Sequence, residues 1–350
     1  MKRIWNPVLV LLMVALLAGC AKGPQAVTNE TAITWRGRGT NAIPSVLMNG
    51  DTLYYIAADE NRPSMQYLMR RQAGQTAINC SAKDCEHDAW DCPAAVWNDS
   101  VGLMQYGEFL YARSVGAGAV VRYDLSGTVR EEVLPREEKV EAFAIGEETL
   151  WAVAQPVEGG FALLVLPLDN PDAQPGRILF ADDTEVIGTD DALYQGGALW
   201  VSQSVRTDGK VGMRIARIDP EKQKMETVVL SAADSVVSLS SGVLAYNAST
   251  EEGYQVCLLD LASGETMRLR TGSAPWDVIA TESGFALDNR LQQGEPRTVV
   301  WITMAGETLG STALDKTLEP CSGAMGDDLV YVSATKPGEI TFVPCAQEKD

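Results

Sequence analysis

The strongest constraint on the fold of this chain is a short sequence unit that occurs seven times. Each copy begins with a turn rich in Gly, Asp, Glu or Ser and continues into an apolar strand that usually carries an aromatic residue. The copies cover residues 49–57, 106–114, 146–154, 195–203, 240–248, 282–289 and 325–333. Most begin about 40 to 50 residues apart, which is typical of repeated four-stranded units.

The second half of the unit is another apolar strand, often followed by Asp-Leu-x-x-Gly or a close variant. It is visible at residues 120–129, 215–224, 256–266 and 299–308. Runs of β-branched and aromatic residues between Gly, Asp and Asn turns indicate antiparallel meanders, and no long segment after residue 20 has a helical apolar period. We therefore predict an all-β chain, a β-propeller of seven blades with four antiparallel strands each. Six blades, eight blades or a β-sandwich remain alternatives.

The aromatic residues of the units occupy one of two adjacent strand positions. One aromatic per unit is what a repeated interface requires, so we expect them to pack between blades rather than to line a ligand site. They are Tyr54, Tyr55, Tyr111, Trp151, Trp200, Tyr246 and Tyr331.

The last unit is shorter than the others and has room for three strands only. Residues 32–39, AITWRGRG, are strand-like and precede the first full unit. We predict that this N-terminal strand completes the last blade and closes the ring, because closure removes exposed sheet edges. The predicted propeller domain is 32–345, and residues 346–350 form a polar tail.

A leader of residues 1–20 precedes the repeats. Lys2 and Arg3 give it a positive start, and its apolar run, residues 8–17, is shorter than the roughly 20 residues of a membrane span. The leader ends in Leu-Ala-Gly-Cys, with Cys20 as its last residue. The pattern is typical of a secretory signal peptide.

The end of the leader resembles the lipobox of bacterial lipoproteins. This resemblance implies palmitate-type acylation of Cys20, removal of the leader, and a domain anchored on the extracytoplasmic face of the cell membrane. A plain signal peptide with a chance cysteine and a short membrane anchor are the alternatives. Residues 21–31 are polar with Gly and Pro and are typical of a flexible tether.

The charge of the chain argues against a nucleic-acid partner. It has 47 acidic and 28 basic residues, a formal net charge of −19. Nucleic acids and anionic lipid surfaces attract clustered Lys and Arg, which an acidic chain of this kind does not supply. A membrane contact through the acyl chains does not depend on charge.

The segment INCSAKDCEHDAWDCPA, residues 78–94, interrupts the regular spacing. The first two copies of the unit are the furthest apart, and the excess falls on residues 80–97, so we predict a rim insertion there, between the first and second blades. It contains three cysteines and the only histidine of the chain; these candidate ligands are Cys80, Cys85, His87 and Cys92.

Three interpretations of these four residues remain open. Three thiolates and one imidazole form a complete tetrahedral set for a structural zinc ion, although Cys85 and His87 could converge only in a tight turn. An oxidising compartment would also permit disulfides, which would leave an odd local cysteine. The third interpretation is a loop with reduced thiols.

Four further residues are candidates for binding or cross-linking. Trp90 and Trp97 flank the insertion; exposed, they could stack on a sugar or a peptide, and buried, they would pin the insertion to the blades. Cys321 and Cys345 lie in the last unit and are a candidate disulfide pair.

A family resemblance combines these features. The leader, the LYYI strand at 53–56, the YDLSGT turn at 123–128 and the Cys…Cys-x-His…Cys-Pro-Ala segment at 80–94 resemble bacterial propeller lipoproteins. These are the TolB-like and quinoprotein-like group, in particular propeller lipoproteins of Gram-positive anaerobes. The resemblance implies a propeller and a lipid anchor but brings no established activity.

The sequence lacks the common catalytic motifs. It has no Gly-x-Ser-x-Gly, no His-Glu-x-x-His, no P-loop and no Rossmann glycine run. We therefore expect a membrane-anchored, non-enzymatic binding or scaffold module with a protein or glycan partner. The alternatives are a carboxylate-dependent glycan hydrolase or lyase, which requires two carboxyl groups about 5 to 10 Å apart, and a redox or quinone-dependent propeller.

Overall fold

The structure of the protein is a computed structural model. It describes residues 32–35, 46–59, 62–96, 100–114, 116–157, 160–170, 172–181, 184–231, 237–240, 242–333, 336 and 338–345. The predicted leader with Cys20, the tether, Trp97 and the tail lie outside the described residues.

The first three blades follow a short N-terminal strand, β1 (Ala32–Trp35). The first blade contains β2 (Val46–Asn49), β3 (Thr52–Asp59), β4 (Arg62–Gln72), β5 (Gln75–Ile78) and β6 (Ala95–Val96). The second contains β7 (Ser100–Tyr106), β8 (Phe109–Ser114), β9 (Ala119–Asp124) and β10 (Arg130–Leu134). A 3-10 turn, Arg136–Glu138, leads to the third blade. The third contains β11 (Val140–Gly146), β12 (Thr149–Ala154), β13 (Gly160–Pro167) and β14 (Gly176–Ala181).

The other four blades repeat this order. The fourth contains β15 (Glu185–Gln195), β16 (Ala198–Thr207), β17 (Lys210–Asp219) and β18 (Lys224–Ser231). The fifth contains β19 (Val237–Ser240), β20 (Val243–Thr250), β21 (Gly253–Asp260) and β22 (Thr266–Gly272). The sixth contains β23 (Asp277–Ala280), β24 (Gly284–Asp288), β25 (Thr298–Thr303) and β26 (Thr308–Ala313). The seventh contains β27 (Gly323–Met325), β28 (Asp328–Val332) and β29 (Ile340–Val343).

The seven sheets form a β-propeller, as the sequence predicts. Within each blade the strands pair antiparallel in chain order, so each blade is a meander. First strands of neighbouring blades lie against each other: β11 against β7 and β15, β23 against β19 and β27, and β2 against β7 and β27. They therefore surround the central channel, and the fourth strands form the outer circumference.

The meander gives the ring two different faces. The turns between first and second strands and between third and fourth strands lie at one end of each blade, because antiparallel strands alternate in direction. We call this end the turn face. The connections between second and third strands, and between successive blades, lie at the other end, the loop face.

The hydrophobic core consists of seven clusters, one between each pair of neighbouring blades. The cluster between the seventh and first blades contains Tyr55, Tyr67, Val330 and Val332, all of them buried. The predicted packing of the recurrent aromatics between blades is confirmed for most of them, since Tyr54, Tyr55, Tyr111, Trp200, Tyr246 and Tyr331 are buried members of these clusters.

The predicted partner of the N-terminal strand is corrected by the structure. The described part of segment 32–39, β1, pairs with β19 of the fifth blade and also lies against β15 and β23. It therefore lies in the central channel, and the seventh blade has three strands within the described residues. The ring closes by side-chain packing between the seventh and first blades, while β1 satisfies backbone groups at the inner edge of β19.

No helix within the described residues combines the length and apolar character that a membrane span requires.

Candidate metal centre

The cysteine-rich insertion leaves the propeller from within one strand. Both β5 and β6 pair with β4, and the ladder runs from Ile78, opposite Met69, to Ala95, opposite Tyr67. Between these pairs, Leu68 accepts a hydrogen bond from Asn79 N and donates one to Ala94 O, both at 2.8 Å. Residues 79–94, which we call the insert, therefore loop out from a single point of the outermost strand.

This location differs from the prediction for residues 80–97. The sequence places the insertion in the connection between the first and second blades, whereas the ladder resumes at β6. The insert thus belongs to the outer strand of the first blade. It lies on the circumference of the propeller, because that strand is the last one in its blade.

The insert contacts the turn between β9 and β10 in the second blade. Ser81 N donates to Gly127 O at 2.9 Å, and the Ser81 hydroxyl donates to Ser126 O at 2.5 Å. Gly127 has a φ of +76°, and a Cβ added there would lie 2.5 Å from Asn79 O. The close backbone approach requires this glycine, and it places the base of the insert at the turn face.

Asp124 holds the same turn together. Its Oδ1 accepts hydrogen bonds from Thr128 N and Val129 N, both at 2.7 Å, and its Oδ2 accepts one from the Thr128 hydroxyl at 2.6 Å. Burial raises the pKa of this carboxyl, but the hydrogen bonds from Ser126, Thr128 and Val129 outweigh burial and hold the pKa below its usual value. The turn that supports the insert is therefore itself fixed by a charged acceptor.

The four predicted ligands converge within the insert. One ligand atom from each of Cys80, Cys85, His87 and Cys92 lies within 4.8 Å of all the others. His87 Nδ1 is 3.4 Å from Cys85 Sγ and 3.4 Å from Cys92 Sγ. Bond lengths of about 2.3 Å to sulfur and 2.0–2.1 Å to nitrogen place such atoms about 3.5 Å apart in a tetrahedral zinc site. The cluster can hold a metal ion of that kind.

Two left-handed residues allow neighbouring ligands to converge. Asp84 has a φ of +61° and His87 a φ of +57°. Cys85 N donates to Ala82 O at 3.3 Å, which closes the turn that leads into Cys85. The Tyr67 hydroxyl donates to His87 O and ties the backbone at His87 to β4. Non-glycine residues in this conformation cost of order 1 kcal/mol each and often mark functional sites.

Burial disfavours the thiolate form of the clustered cysteines unless a cation lies beside them. Cys92 is 1% exposed, and burial raises its pKa to about 12; burial also raises the pKa of Cys80. Without a cation these thiols stay protonated, and a divalent ion would replace the protons. Four protein ligands leave no open position, which suits a structural ion.

The convergence also bears on the disulfide interpretation. A disulfide would bring two sulfurs together and would not require the imidazole, whereas all four ligand atoms converge here. None of the three cysteines of the insert forms a disulfide in the structure. The geometry therefore favours the metal interpretation over the disulfide.

Trp90 lies on the surface of the insert and is 47% exposed. Its backbone carbonyl accepts a hydrogen bond from the guanidinium of Arg130, which lies in β10 of the second blade. The sequence left open whether Trp90 is exposed or buried, and the structure shows that it is exposed. The candidate partner Trp97 lies outside the described residues.

Cys321 and Cys345 pack in the cluster between the sixth and seventh blades. The Cys321 thiol donates to Gly323 O at 3.1 Å. The disulfide between them stays a prediction.

Sequence reasoning missed a buried ionic network in the sixth blade. Asp277 and Asp288 face each other across β23 and β24 and are almost fully buried. Arg290 Nε lies 2.7 Å from Asp277 Oδ2, and Arg297 bonds both carboxylate oxygens of Asp288, at 2.7 and 3.1 Å. Burial raises the pKa of Asp288, and Arg297 opposes that shift. Charged residues at the ends of apolar strands were the only sequence signal.

Comparison with known proteins supports the fold. No protein-family model matches the chain, and no curated protein matches it in sequence. Among solved structures it is similar to an acylaminoacyl peptidase of Pyrococcus horikoshii, with 11% identity, 89% of this chain and 53% of that chain covered, and a TM-score of 0.54. A puromycin-hydrolysing peptidase of Mycobacterium tuberculosis has 12% identity, with 90% and 56% covered and a TM-score of 0.53.

A looser similarity is to TolB from Acinetobacter baumannii, at 12% identity, with 87% of this chain and 79% of that chain covered and a TM-score of 0.42. The chain spans about half the length of the two peptidases. At these identities the similarity shows the fold alone.

Proposed function

We propose that this protein is a lipid-anchored, extracytoplasmic β-propeller that acts as a non-enzymatic binding module. The acyl chains on Cys20 would hold it at the cell membrane. A structural zinc ion would fix the insert. The observation that carries the proposal is Trp90, exposed on an insert that four clustered ligands and the second blade hold in place.

The donor set supports zinc as the ion. Three thiolates and one imidazole suit a tetrahedral d¹⁰ ion, and hard cations such as Mg²⁺ and Ca²⁺ prefer oxygen ligands. The ion would close a small loop that has almost no strand pairing of its own. Its contribution is then to folding of the insert and not to a reaction.

The environment of Trp90 supports recognition of a protein or a glycan. An exposed indole offers a large flat face that stacks on sugar rings and on peptide groups. The bond from Arg130 to its carbonyl fixes the backbone before any ligand arrives. A preorganised aromatic loses less conformational entropy on binding, which raises affinity.

The alternative is a glycan hydrolase or lyase with two free carboxylates. The opposed pair Asp277 and Asp288 is the carboxylate pair that the sixth blade brings together, and each is bonded to an arginine. Both carboxylates are buried and held by arginines, so this pair does not present two free carboxyl groups to a glycan and gives the alternative no support.

Binding of the soluble chain from residue 21 to glycan and peptide arrays tests the proposal. We expect a set of ligands whose signal falls strongly for Trp90→Ala, because the stacking face is removed. Phe342→Ala is the matched control, since Phe342 is 42% exposed on the seventh blade and should leave the signal unchanged. No ligand at all, equal loss in both variants, or release of shortened glycan products would contradict the proposal.

A further inference from the structure

A pocket of about 220 Å³ opens on the loop face of the sixth blade. Its walls come from the connection between β24 and β25 and from the segment after β26. They are formed by Asn289, Arg290, Gln292, Glu295, Arg297 and Lys316. Pockets for drug-sized ligands measure about 300–1,000 Å³, so this one suits a single small group.

Most polar groups of the wall are already bonded within the protein. Asn289 donates to Pro296 O at 2.9 Å and accepts from Thr298 N at 2.7 Å. Gln292 donates to Ala274 O at 2.5 Å and accepts from Ala274 N at 3.3 Å. These amides shape the loop, and they leave little capacity for a ligand.

Arg297 is occupied in the same way. Both oxygens of Asp288 accept hydrogen bonds from it, as do the carbonyls of Leu318 and Glu319. Its side chain is 3% exposed. Arg297 therefore forms the floor of the pocket and does not reach out of it.

Arg290 is held by one side only. Its Nε lies 2.7 Å from Asp277 Oδ2 and its Nη2 lies 3.5 Å from Asp277 Oδ1. Asp277 is 2% exposed, whereas Arg290 is 22% exposed. Within the described residues, Nη1 and the outer hydrogen of Nη2 have no acceptor. This free edge carries two parallel N–H donors, the arrangement that binds a carboxylate through both oxygens.

The network behind Arg290 points to positioning and not to stability. A buried ion pair is weak evidence for stability, because desolvation offsets much of the attraction. Two such pairs lie side by side here, and one of them fixes a guanidinium at the wall of a pocket. A guanidinium held in one orientation loses little entropy when a ligand binds.

Two exposed charges complete the pocket. Lys316 and Glu295 have no ion-pair partner in the described part of the chain. The Asp277 and Asp288 charges balance those of Arg290 and Arg297. Lys316 therefore adds the positive charge that a carboxylate requires, and Glu295 offers an acceptor for a donor group on the same ligand.

We propose that this pocket binds a small amino acid or hydroxy acid. Arg290 holds the ligand carboxylate through its free edge, Lys316 adds electrostatic attraction, and Glu295 accepts a hydrogen bond from the ligand ammonium or hydroxyl. The proposal does not depend on the insert or on Trp90, which lie at the other end of the blades.

Isothermal titration calorimetry of the soluble chain from residue 21, at low ionic strength, tests the pocket. The probes are L-alanine, L-lactate and ethanolamine, of which ethanolamine lacks the carboxylate. We expect heat from at least one carboxylate probe and none from ethanolamine. Glu295→Gln distinguishes the two ligand classes, because it should weaken an ammonium ligand more than a hydroxyl ligand.

Three variants locate the binding. Arg290→Lys keeps the charge but loses the paired donors, so affinity should fall about tenfold or more. Lys316→Gln should reduce affinity severalfold. Because Lys316 lies outside the buried network, this variant still tests the pocket if Arg290→Lys fails to fold. Arg136→Gln is the matched control, because Arg136 is exposed and lies in the 3-10 turn that follows the second blade. This variant should bind the probes normally.

Trp90→Ala separates this proposal from the recognition role of the insert. The Trp90→Ala protein should bind the carboxylate probes with the same affinity as the protein without the substitution. Three results would overturn the pocket: no heat from either carboxylate, equal heat from ethanolamine, or affinity unaffected by both Arg290→Lys and Lys316→Gln.

Discussion

Single residues decide whether the four ligand side chains can meet. Asp84 and His87 adopt left-handed backbone conformations that most residues avoid. Those conformations bring Cys85 and His87 to the same point although only one residue separates them. Cys92 then approaches from the buried end of the insert, close to the cluster between the seventh and first blades. The ligand set is therefore local in sequence but depends on backbone geometry.

The first prediction concerns the metal content. Soluble protein produced without added metal should carry about one zinc ion per chain, because the four donors form a complete tetrahedral set. His87→Ala should lower the zinc content, since three thiolates leave one position to water. Elemental analysis together with thiol titration measures both quantities.

Zinc below about one-tenth of an equivalent, with no free thiols among Cys80, Cys85 and Cys92, would contradict this prediction and support the disulfide interpretation. Cys257→Ser is the matched control, because Cys257 lies in the cluster between the fourth and fifth blades and takes no part in the ligand set.

The second prediction concerns pH and Asp124. A carboxyl with a lowered pKa in the folded state stabilises the protein above its unfolded pKa of about 3.9, and this contribution is lost as pH falls through the folded pKa. Asp124→Asn should therefore lower the free energy of unfolding by about 1–2 kcal/mol at pH 7. The difference from the unchanged chain should shrink at pH 3.

Urea unfolding at pH 7 and pH 3, with a chelator present throughout, measures this difference without a contribution from metal loss. Asp172→Asn is the control, because Asp172 is exposed and makes no hydrogen bond within the described residues. An Asp124→Asn effect that stays the same at both pH values would contradict the assigned role.

At the scale of elements, the outer strand of the first blade tolerates a long insert because one residue anchors both of its ends. Leu68 bonds to Asn79 and to Ala94, so the strand ladder is almost continuous across the insert. The turn between β9 and β10 supports the insert from the second blade. The propeller therefore does not depend on the insert for its own strand pairing.

The third prediction follows from this arrangement. Removal of the metal by EDTA should open the insert and leave the blades folded. Trypsin should then cut after Lys83, an exposed residue inside the insert, much faster than before. His87→Ala should show the same cleavage without EDTA, and mass spectrometry identifies the fragments.

Lys222 provides the internal control for this experiment. It lies in the turn between β17 and β18, is 76% exposed, and should be cut at the same rate with and without EDTA. Loss of the β-sheet signal in circular dichroism on EDTA addition would show that the metal supports the whole propeller, and the prediction would then be wrong.

At the scale of the whole molecule, seven similar clusters join seven blades into a closed ring. The cluster between the seventh and first blades is as buried as the others, although no shared strand joins these two blades in the described residues. The two candidate recognition regions lie at different ends of the blades: the insert at the turn face and the Arg290 pocket at the loop face. One partner could therefore be bound without blocking the other.

The fourth prediction tests how the ring closes. A chain that begins at residue 46 should still fold and unfold cooperatively, because the described members of all seven clusters lie at or after Val46. Leu53→Ala, in the cluster between the seventh and first blades, should cost about 2–5 kcal/mol. Urea unfolding of both proteins measures the comparison, and failure of the shortened chain to fold would show that the segment before residue 46, which includes β1, is required for the fold.

The seven-blade propeller and the packing of its aromatics could be predicted from the sequence. Both depend on local patterns, because each unit repeats the same turn, apolar strand and aromatic position at regular spacing. The clustering of the four candidate metal ligands could be predicted for the same reason, since Cys80 and Cys92 delimit a short segment with Cys85 and His87 between them.

Only the tertiary structure decided the features that join residues distant along the chain. The pairing of β1 with β19, the return of the strand ladder at β6, and the ion pairs of Asp277 and Asp288 belong to this group. Backbone hydrogen bonds can be satisfied by any strand edge, and a carboxylate can be paired or exposed at any strand end. The sequence pattern does not distinguish these possibilities. The partner of a strand edge or of a carboxylate therefore depends on which surfaces the folded ring brings together.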